Sequence, residues 1–527
     1  MSAELTPVFS EVRRAPAQSS PMSAELQEEE EQIDVHDLPN FRFEGATQFD
    51  VNQESTTLQD AGGNSLAAQD EEADFSAYEM PDVIRSFIVY FQKNLRDRNV
   101  YEVHSIYENS FNKLTDRYYK NSPWPPAEVI SPLVDGDQQF LLLYKELYYR
   151  HVYAKLQPML EQRFESWANY CDIFNLLLSD SPVALELPNQ WLWDIIDEFI
   201  YQFQAFSQFR SRVKGKTDEE IATLKETSQA WNVNKVLFYL HALVDKSAIV
   251  ATLKGESPKS AFASNELYKM MGYFALVGLL RVQCLLGDYR LALSTIAPMD
   301  LSKKGLFTRV TACHISVFYY VGFAYLMMRR YADATKTFSS ILFYIGRTKQ
   351  YHTRSYQYDQ IVKKNEQMYA LLAVAASLSP QPLDENLITT LRDKYGDRMS
   401  RMQSNNVDLG AYEELFAFAC PKFISPAPPP YDDLPATYNP QEAYRLQLRL
   451  FMVRAAAAHA STRGTHGRTA HAVAGPFLSP AAYPTATQGS TNGPRPAAAV
   501  LLNVARVPPR ALASIRGAHP CPPPARA

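Results

Sequence analysis

Between Tyr344 and Lys364 the chain interleaves bases with aromatic rings. Arg347, Lys349, Arg354, Lys363 and Lys364 alternate with Tyr344, Tyr351, Tyr356 and Tyr358. Cations that meet phosphates and flat rings that stack on bases are what a single-stranded RNA needs. Arg347, Lys349, Tyr351, Arg354, Tyr356, Lys363 and Lys364 are therefore candidate RNA contacts. The competing reading is a solvated segment between helices whose tyrosines pack on their neighbours. Trp124, held in Ser122-Pro123-Trp124-Pro125-Pro126, is a candidate partner anchor. It could equally fill a groove of its own domain. Gly215-Lys216-Thr217 has the ending of a phosphate loop, but Arg210 stands where the leading glycine belongs. Thr217 with Glu220 fits a capping box instead. His151, His241 and His314 sit singly, so they read as structural. No HExxH, G-x-S-x-G or GxGxxG string occurs, and the five cysteines form no C-x-x-C pair. The expectation is a non-enzyme with no catalytic, cofactor-binding or metal-binding residues and no cofactor.

Composition narrows the class. Of 527 residues, 46% are hydrophobic, enough for several hundred residues of packed core plus tails. The net charge of -5 is too small to mark a polyelectrolyte partner by itself. Scattered cysteines and the lack of a basic start followed by an apolar core point to reduced thiols and no signal peptide. Residues 1-80 carry the acidic run from Glu25 to Glu31 and then Ser, Gln, Asn and Gly, with too few apolar side chains to offset chain entropy. They are expected to be a disordered acidic tail. Residues 453-527 hold no Asp, Glu or Lys and are rich in Ala, Pro and Arg, so a second disordered tail is expected.

Between the tails the apolar spacing is helical, and no sustained alternation of period two occurs before residue 400. The fold class expected is all-α, a helical-repeat, tetratricopeptide-like solenoid. Residues 81-264 form N-terminal helical repeats, 265-347 two central hairpins, and 348-452 a set of C-terminal helices. The hairpins share a skeleton. Gly287 and Tyr289 precede Ala292 in the first; Gly322, Tyr325, Ala334 and Phe338 mark the second. A small residue where two helices cross lets the backbones approach, and a large one four positions on fills the groove. Ala292 and Ala334 stand 42 residues apart, longer than the ideal repeat of about 34, so a linker near Lys303-Lys304-Gly305 takes up the difference. The apolar runs of these hairpins, broken by Arg281 and Gln283 and ended by Arg329-Arg330, are too short for a membrane span of about 20 residues. They read as a buried core with no membrane contact.

Several longer strings carry a resemblance. They include Tyr107-Glu108-Asn109-Ser110-Phe111, Ser122-Pro123-Trp124-Pro125, Gln190-Trp191-Leu192-Trp193-Asp194, Met271-Gly272-Tyr273-Phe274, Leu391-Arg392-Asp393-Lys394-Tyr395-Gly396-Asp397, and Tyr412-Glu413-Glu414-Leu415-Phe416 with Cys420-Pro421-Lys422-Phe423. In this order they resemble the L-subunit family of eukaryotic translation initiation factor three, over about Asp82 to Phe451. The resemblance implies a PCI-class scaffold in the cytoplasm, acting on the small ribosomal subunit beside other subunits, the K subunit above all. It also implies that 348-452 is a partial PCI region, because beyond Met452 the winged-helix half of that class has no counterpart in the sequence.

Overall fold

The computed structural model describes residues 80-352, 357-404, 408-435 and 438-466. The two tails read as disordered lie outside these residues, apart from Met80 and the stretch 453-466. Every regular element among the described residues is helical.

In the N-terminal part, α1 (Asp82–Arg96) starts behind Pro81 and buries Ile84, Phe87, Ile88 and Phe91 along one face. Asn99 caps α2 (Val100–Ser105), which continues through a π-helical turn into α3 (Phe111–Tyr118). The proline-rich break ends that run, because a residue preceding proline is held out of the helical region. After the short α4 (Ala127–Ile130), Asp137 caps α5 (Gln138–Lys155) by accepting the Phe140 N–H at 3.1 Å. Then come α6 (Leu160–Leu177) and the long α7 (Asn189–Ser211). The capping box expected at Thr217 opens α8 (Asp218–Glu226). Thr217 Oγ1 accepts the Glu220 N–H at 3.2 Å, and the Glu220 carboxylate accepts the Thr217 N–H at 3.0 Å. The series continues with α9 (Val233–Ser247) and α10 (Ile249–Leu253).

The central part is built on α11 (Glu266–Leu286), which packs against α7 and α9 and is buried almost all round. Its 21 residues are long and apolar enough to cross a membrane, so the length argument drawn from the sequence fails for this helix, and it is the burial of 89% of its apolar window inside the fold that reads it as core. Its two polar interruptions find partners. Arg281 pairs with Asp197 of α7, and Gln283 Oε1 accepts the Thr295 hydroxyl at 2.9 Å. Gly287 ends the helix at φ +85, a left-handed cap that glycine adopts without strain. The chain turns into α12 (Tyr289–Thr295), then α13 (Thr311–Met327) and α14 (Tyr331–His352).

Next, α15 (Tyr358–Leu378) packs on α14, and α16 (Glu385–Gln403) and α17 (Leu409–Ala419) pack on α15. An extended stretch leads to α18 (Glu442–His466), which lies on α17 and α15. Two expectations need correcting. The boundary drawn at 347 falls inside α14, because its helical spacing runs on to His352. The tail drawn from 453 begins too early, because α18 continues to His466 and buries Ala455 completely. The alanine run from Ala455 to Ala458 is a strong helix former. It reads as low complexity only when judged by composition.

Candidate functional site

The hairpin residues meet through close backbone approach. Gly322 of α13 faces Phe338 of α14 so tightly that a Cβ there would lie 2.5 Å from the ring. Ala334, Phe338 and Ala292 are fully buried, and half-buried Tyr325 carries Arg330 4.4 Å above its ring. In the first hairpin Gly287 faces Gln447 of α18, and the Tyr289 hydroxyl donates to Gln447 Oε1 at 2.7 Å. Gln447 is buried, and it ties the last helix to the first hairpin across 158 residues of sequence. Sequence reasoning missed it. The only signal was a lone amide inside the apolar stretch of α18.

The candidate RNA contacts are split. Arg347 and Lys349 are exposed near the end of α14, and Lys363 is exposed near the start of α15. The Arg347 guanidinium also lies 5.6 Å from the Phe343 ring. Tyr351 lies on α14 with its side chain outside the description, and Arg354 and Tyr356 lie outside the described residues. Lys364 points inward. Its ammonium sits 3.6 Å from the Tyr319 ring and 5.6 Å from that of Tyr320, and burial pushes its pKa down to about 7, helped by Arg281. A cation held on aromatic rings inside the stack is not placed to meet a phosphate, so Lys364 leaves the candidate set.

Trp124 is also internal. It is fully buried, stacked 4.6 Å from Phe111 and 4.8 Å from Tyr119, and its indole N–H donates to Thr115 Oγ1 at 3.0 Å. The flanking prolines fold it into its own domain, where it plugs α1 and α3 instead of anchoring a partner. His151 bonds the Ser122 carbonyl at 2.9 Å, and His314 lies among Phe307, Phe318 and Tyr344 with its pKa pushed down to about 3 by burial. Among the described residues no three His, Cys, Asp or Glu side chains gather into a metal-holding group.

One cavity lies where the sequence marked nothing. A cleft of about 680 Å³ opens between the end of α7 and the stretch joining α17 to α18. Ser207, Gln208 and Arg212 line one side, and Lys422, Asn439 and Gln441 line the other. The Ile424 N–H donates to the Leu285 carbonyl at 3.1 Å, which ties the connecting stretch to α11. The Tyr438 hydroxyl donates to the Ser211 carbonyl at 2.9 Å, which ties the same stretch to the end of α7.

With this geometry in place, comparison with known proteins is decisive. The chain is 54% identical over 385 residues to eukaryotic translation initiation factor 3 subunit L of Nematostella vectensis, covering 71% of this chain and 73% of that one. The chain belongs to the initiation factor 3 subunit L family. The subunit L proteins of Xenopus tropicalis and Homo sapiens are each 51% identical to it over 404 and 403 residues, covering 71% of both chains in each case. A family model described as RNA polymerase I-associated factor PAF67 matches residues 162–463. That match takes in the subunit L hairpins, the basic stretch and the cleft, and leaves Trp124 outside.

Proposed function

We propose that this chain is a non-catalytic scaffold subunit of the translation initiation factor three complex, supporting assembly of the small-subunit preinitiation complex in the cytoplasm. The observation that carries the reading is 50% or greater identity to named L subunits over about 70% of the chain. The physical form agrees with it. A helical stack of this kind devotes its apolar interior to packing and leaves long helix faces for neighbours. In a PCI-class assembly those neighbours are other subunits of the factor, the K subunit first among them, and the small ribosomal subunit. The test is purification of the tagged full chain from cells, followed by mass spectrometry and sucrose-gradient sedimentation. Initiation factor three subunits, K included, are expected with it in the small-subunit fractions, and purification without them overturns the reading.

A second reading adds RNA contact, and the exposure of Arg347, Lys349 and Lys363 supports it. Each phosphate-contacting cation adds about one to the salt slope of binding. Ultraviolet crosslinking of the purified complex should then mark peptides spanning 347-363, and RNA crosslinks confined to other subunits would remove this reading.

A further inference from the structure

The cleft beside α7 combines features that the rest of the stack does not need. Among the described residues that line it there is no carboxylate, although the whole chain has a net charge of -5. Two exposed cations, Arg212 and Lys422, stand on opposite walls. More cations crowd the same end of α7. Lys216 and Arg163 lie 3.2 and 4.5 Å from the Phe209 ring, and Arg210 is buried one turn along from Ser207. No carboxylate among the described residues pairs with Arg210, and its Nη2 has no hydrogen-bond partner. Ser207, which lines the cleft at 3% exposure, likewise keeps a buried hydroxyl without a partner. Native proteins rarely leave buried donors unsatisfied, so the unpaired Ser207 hydroxyl in the lining of an open cleft marks a place for an acceptor from outside the chain, and Arg210 behind it adds positive charge.

The remaining lining shows which kind of acceptor. Gln208, Asn439 and Gln441 carry carboxamides, each a donor and an acceptor at once. An extended peptide backbone needs both, because every residue presents an N–H and a C=O. A phosphodiester only accepts, so acceptor groups in the wall have nothing to offer it. Phe423, Ala443 and Tyr444 add apolar surface for every second side chain of an extended segment. We propose that this cleft is the docking site for an acidic, extended peptide segment of a neighbouring protein, with Arg212 and Lys422 meeting its carboxylates and Ser207 supplying a buried donor. The proposal rests on the scaffold reading for the existence of a neighbour, and it names the surface and the chemistry of the contact.

The experiment uses the full chain and fluorescence anisotropy at fixed moderate salt. The probes are a labelled peptide alternating glutamate with valine, its glutamine counterpart, and a labelled oligouridine. The glutamate peptide should bind at least about 10-fold more tightly than the glutamine one, since charge-assisted hydrogen bonds are roughly twice as strong as neutral ones. Arg212→Glu with Lys422→Glu should weaken it by about 10-fold or more, and Arg212→Ala with Lys422→Ala by less. Both sites are exposed, so thermal melts should not move. Ser207→Ala, which deletes a hydroxyl with no internal bond to lose, should cost a few-fold in affinity. Equal binding of the two peptides, or binding that survives charge reversal, overturns the proposal. So does oligouridine binding that the same charge reversal abolishes, which would assign the cleft to nucleic acid. A chain that co-purifies with the initiation factor yet ignores the glutamate peptide loses this proposal and keeps the scaffold reading; one that binds the peptide but co-purifies with no subunit does the reverse.

Discussion

At the centre of the N-terminal helices, Glu146 of α5 is fully buried and its oxygens accept from Arg150, from the Tyr170 hydroxyl at 3.2 Å and from the Trp191 indole at 3.0 Å. Arg150 reaches on to Asp194 at 3.5 Å, and its guanidinium lies 5.4 Å from the Tyr107 ring, which itself stacks on Trp191 at 5.0 Å. At the α13–α14 crossing no such ionic network occurs among the described residues. Gly322 lies against the Phe338 ring with Ala334 buried beside it, and shape alone decides the fit. Both regions are stacked helices of one family, yet one is held by a buried ionic network and the other by close apolar contact. The contrast teaches that similar helix geometry can rest on interactions with different failure modes. A broken ionic network leaves a charge stranded, whereas a spoiled crossing leaves a clash or a void.

The largest effect should follow from stranding a charge in either region. Arg150→Met leaves Glu146 buried without its cation, and breaking a buried pair in this way costs about 3–5 kcal/mol. Pairing it with Glu146→Leu should recover much of the loss, since an apolar pair of similar volume is often tolerated in place of a buried ion pair. Ala334→Arg should destabilise by a comparable amount, since it forces a charge into a fully buried crossing. Chemical denaturation of the three variants checks this, and absence of recovery in the Glu146→Leu, Arg150→Met double variant would break the ionic side of the comparison. Next in size is Gly322→Leu, whose side chain meets the Phe338 ring. Overpacking of this kind costs about 1–3 kcal/mol. An unchanged melt would show that the crossing is looser than described.

The smallest effect is the most discriminating, because pH should move the two regions in opposite directions. Burial pushes the Glu108 and Glu198 carboxyls up to about 7, and that of Asp194 up to about 6. Carboxyls with raised folded pKa values bind protons more tightly in the native state. Their contribution is greatest below their unfolded pKa values near 4 and is lost as pH rises through 6 to 7. His104, 3.6 Å from Glu108, opposes them slightly, since burial lowers its pKa. Near the hairpins the sign reverses. Stability falls as Lys364 is forced to charge between its unfolded pKa and about 7, and as His314 is forced to charge below 6.5. Hydrogen exchange, corrected for intrinsic rates, should therefore show α5 and α7 better protected at pH 6 than at pH 8, and α13 and α15 less protected. Shifts of the same sign in both regions would contradict the contrast.

Several features were legible because they are local. The buried faces of α1 and α7, the capping box at Thr217, the left-handed cap at Gly287 and the small residue at Gly322 each follow from spacing within a few residues. The family strings were legible for a different reason, since long identical runs carry descent whatever the fold does with them.

Other features depended on the register between distant helices. Lys363 and Lys364 are adjacent in sequence, but successive helix positions point about 100° apart, so one reaches solvent while the other lies on Tyr319. Periodicity cannot choose between them until the neighbouring helices are in place. Trp124 between prolines has the same composition whether it points inward or outward, and only Phe87, Phe111 and Tyr119 arriving around it decide. The sequence by itself determined which residues are helical, where helices stop and which side chains are too apolar to stay in water, because those follow from backbone sterics and burial. Tertiary structure alone decided that Glu146 meets Trp191, that Gln447 meets Tyr289, and that a carboxylate-free cleft opens beside α7. Each joins groups 45 to 158 residues apart or spans several helices, and such meetings are set by the packing of the whole stack.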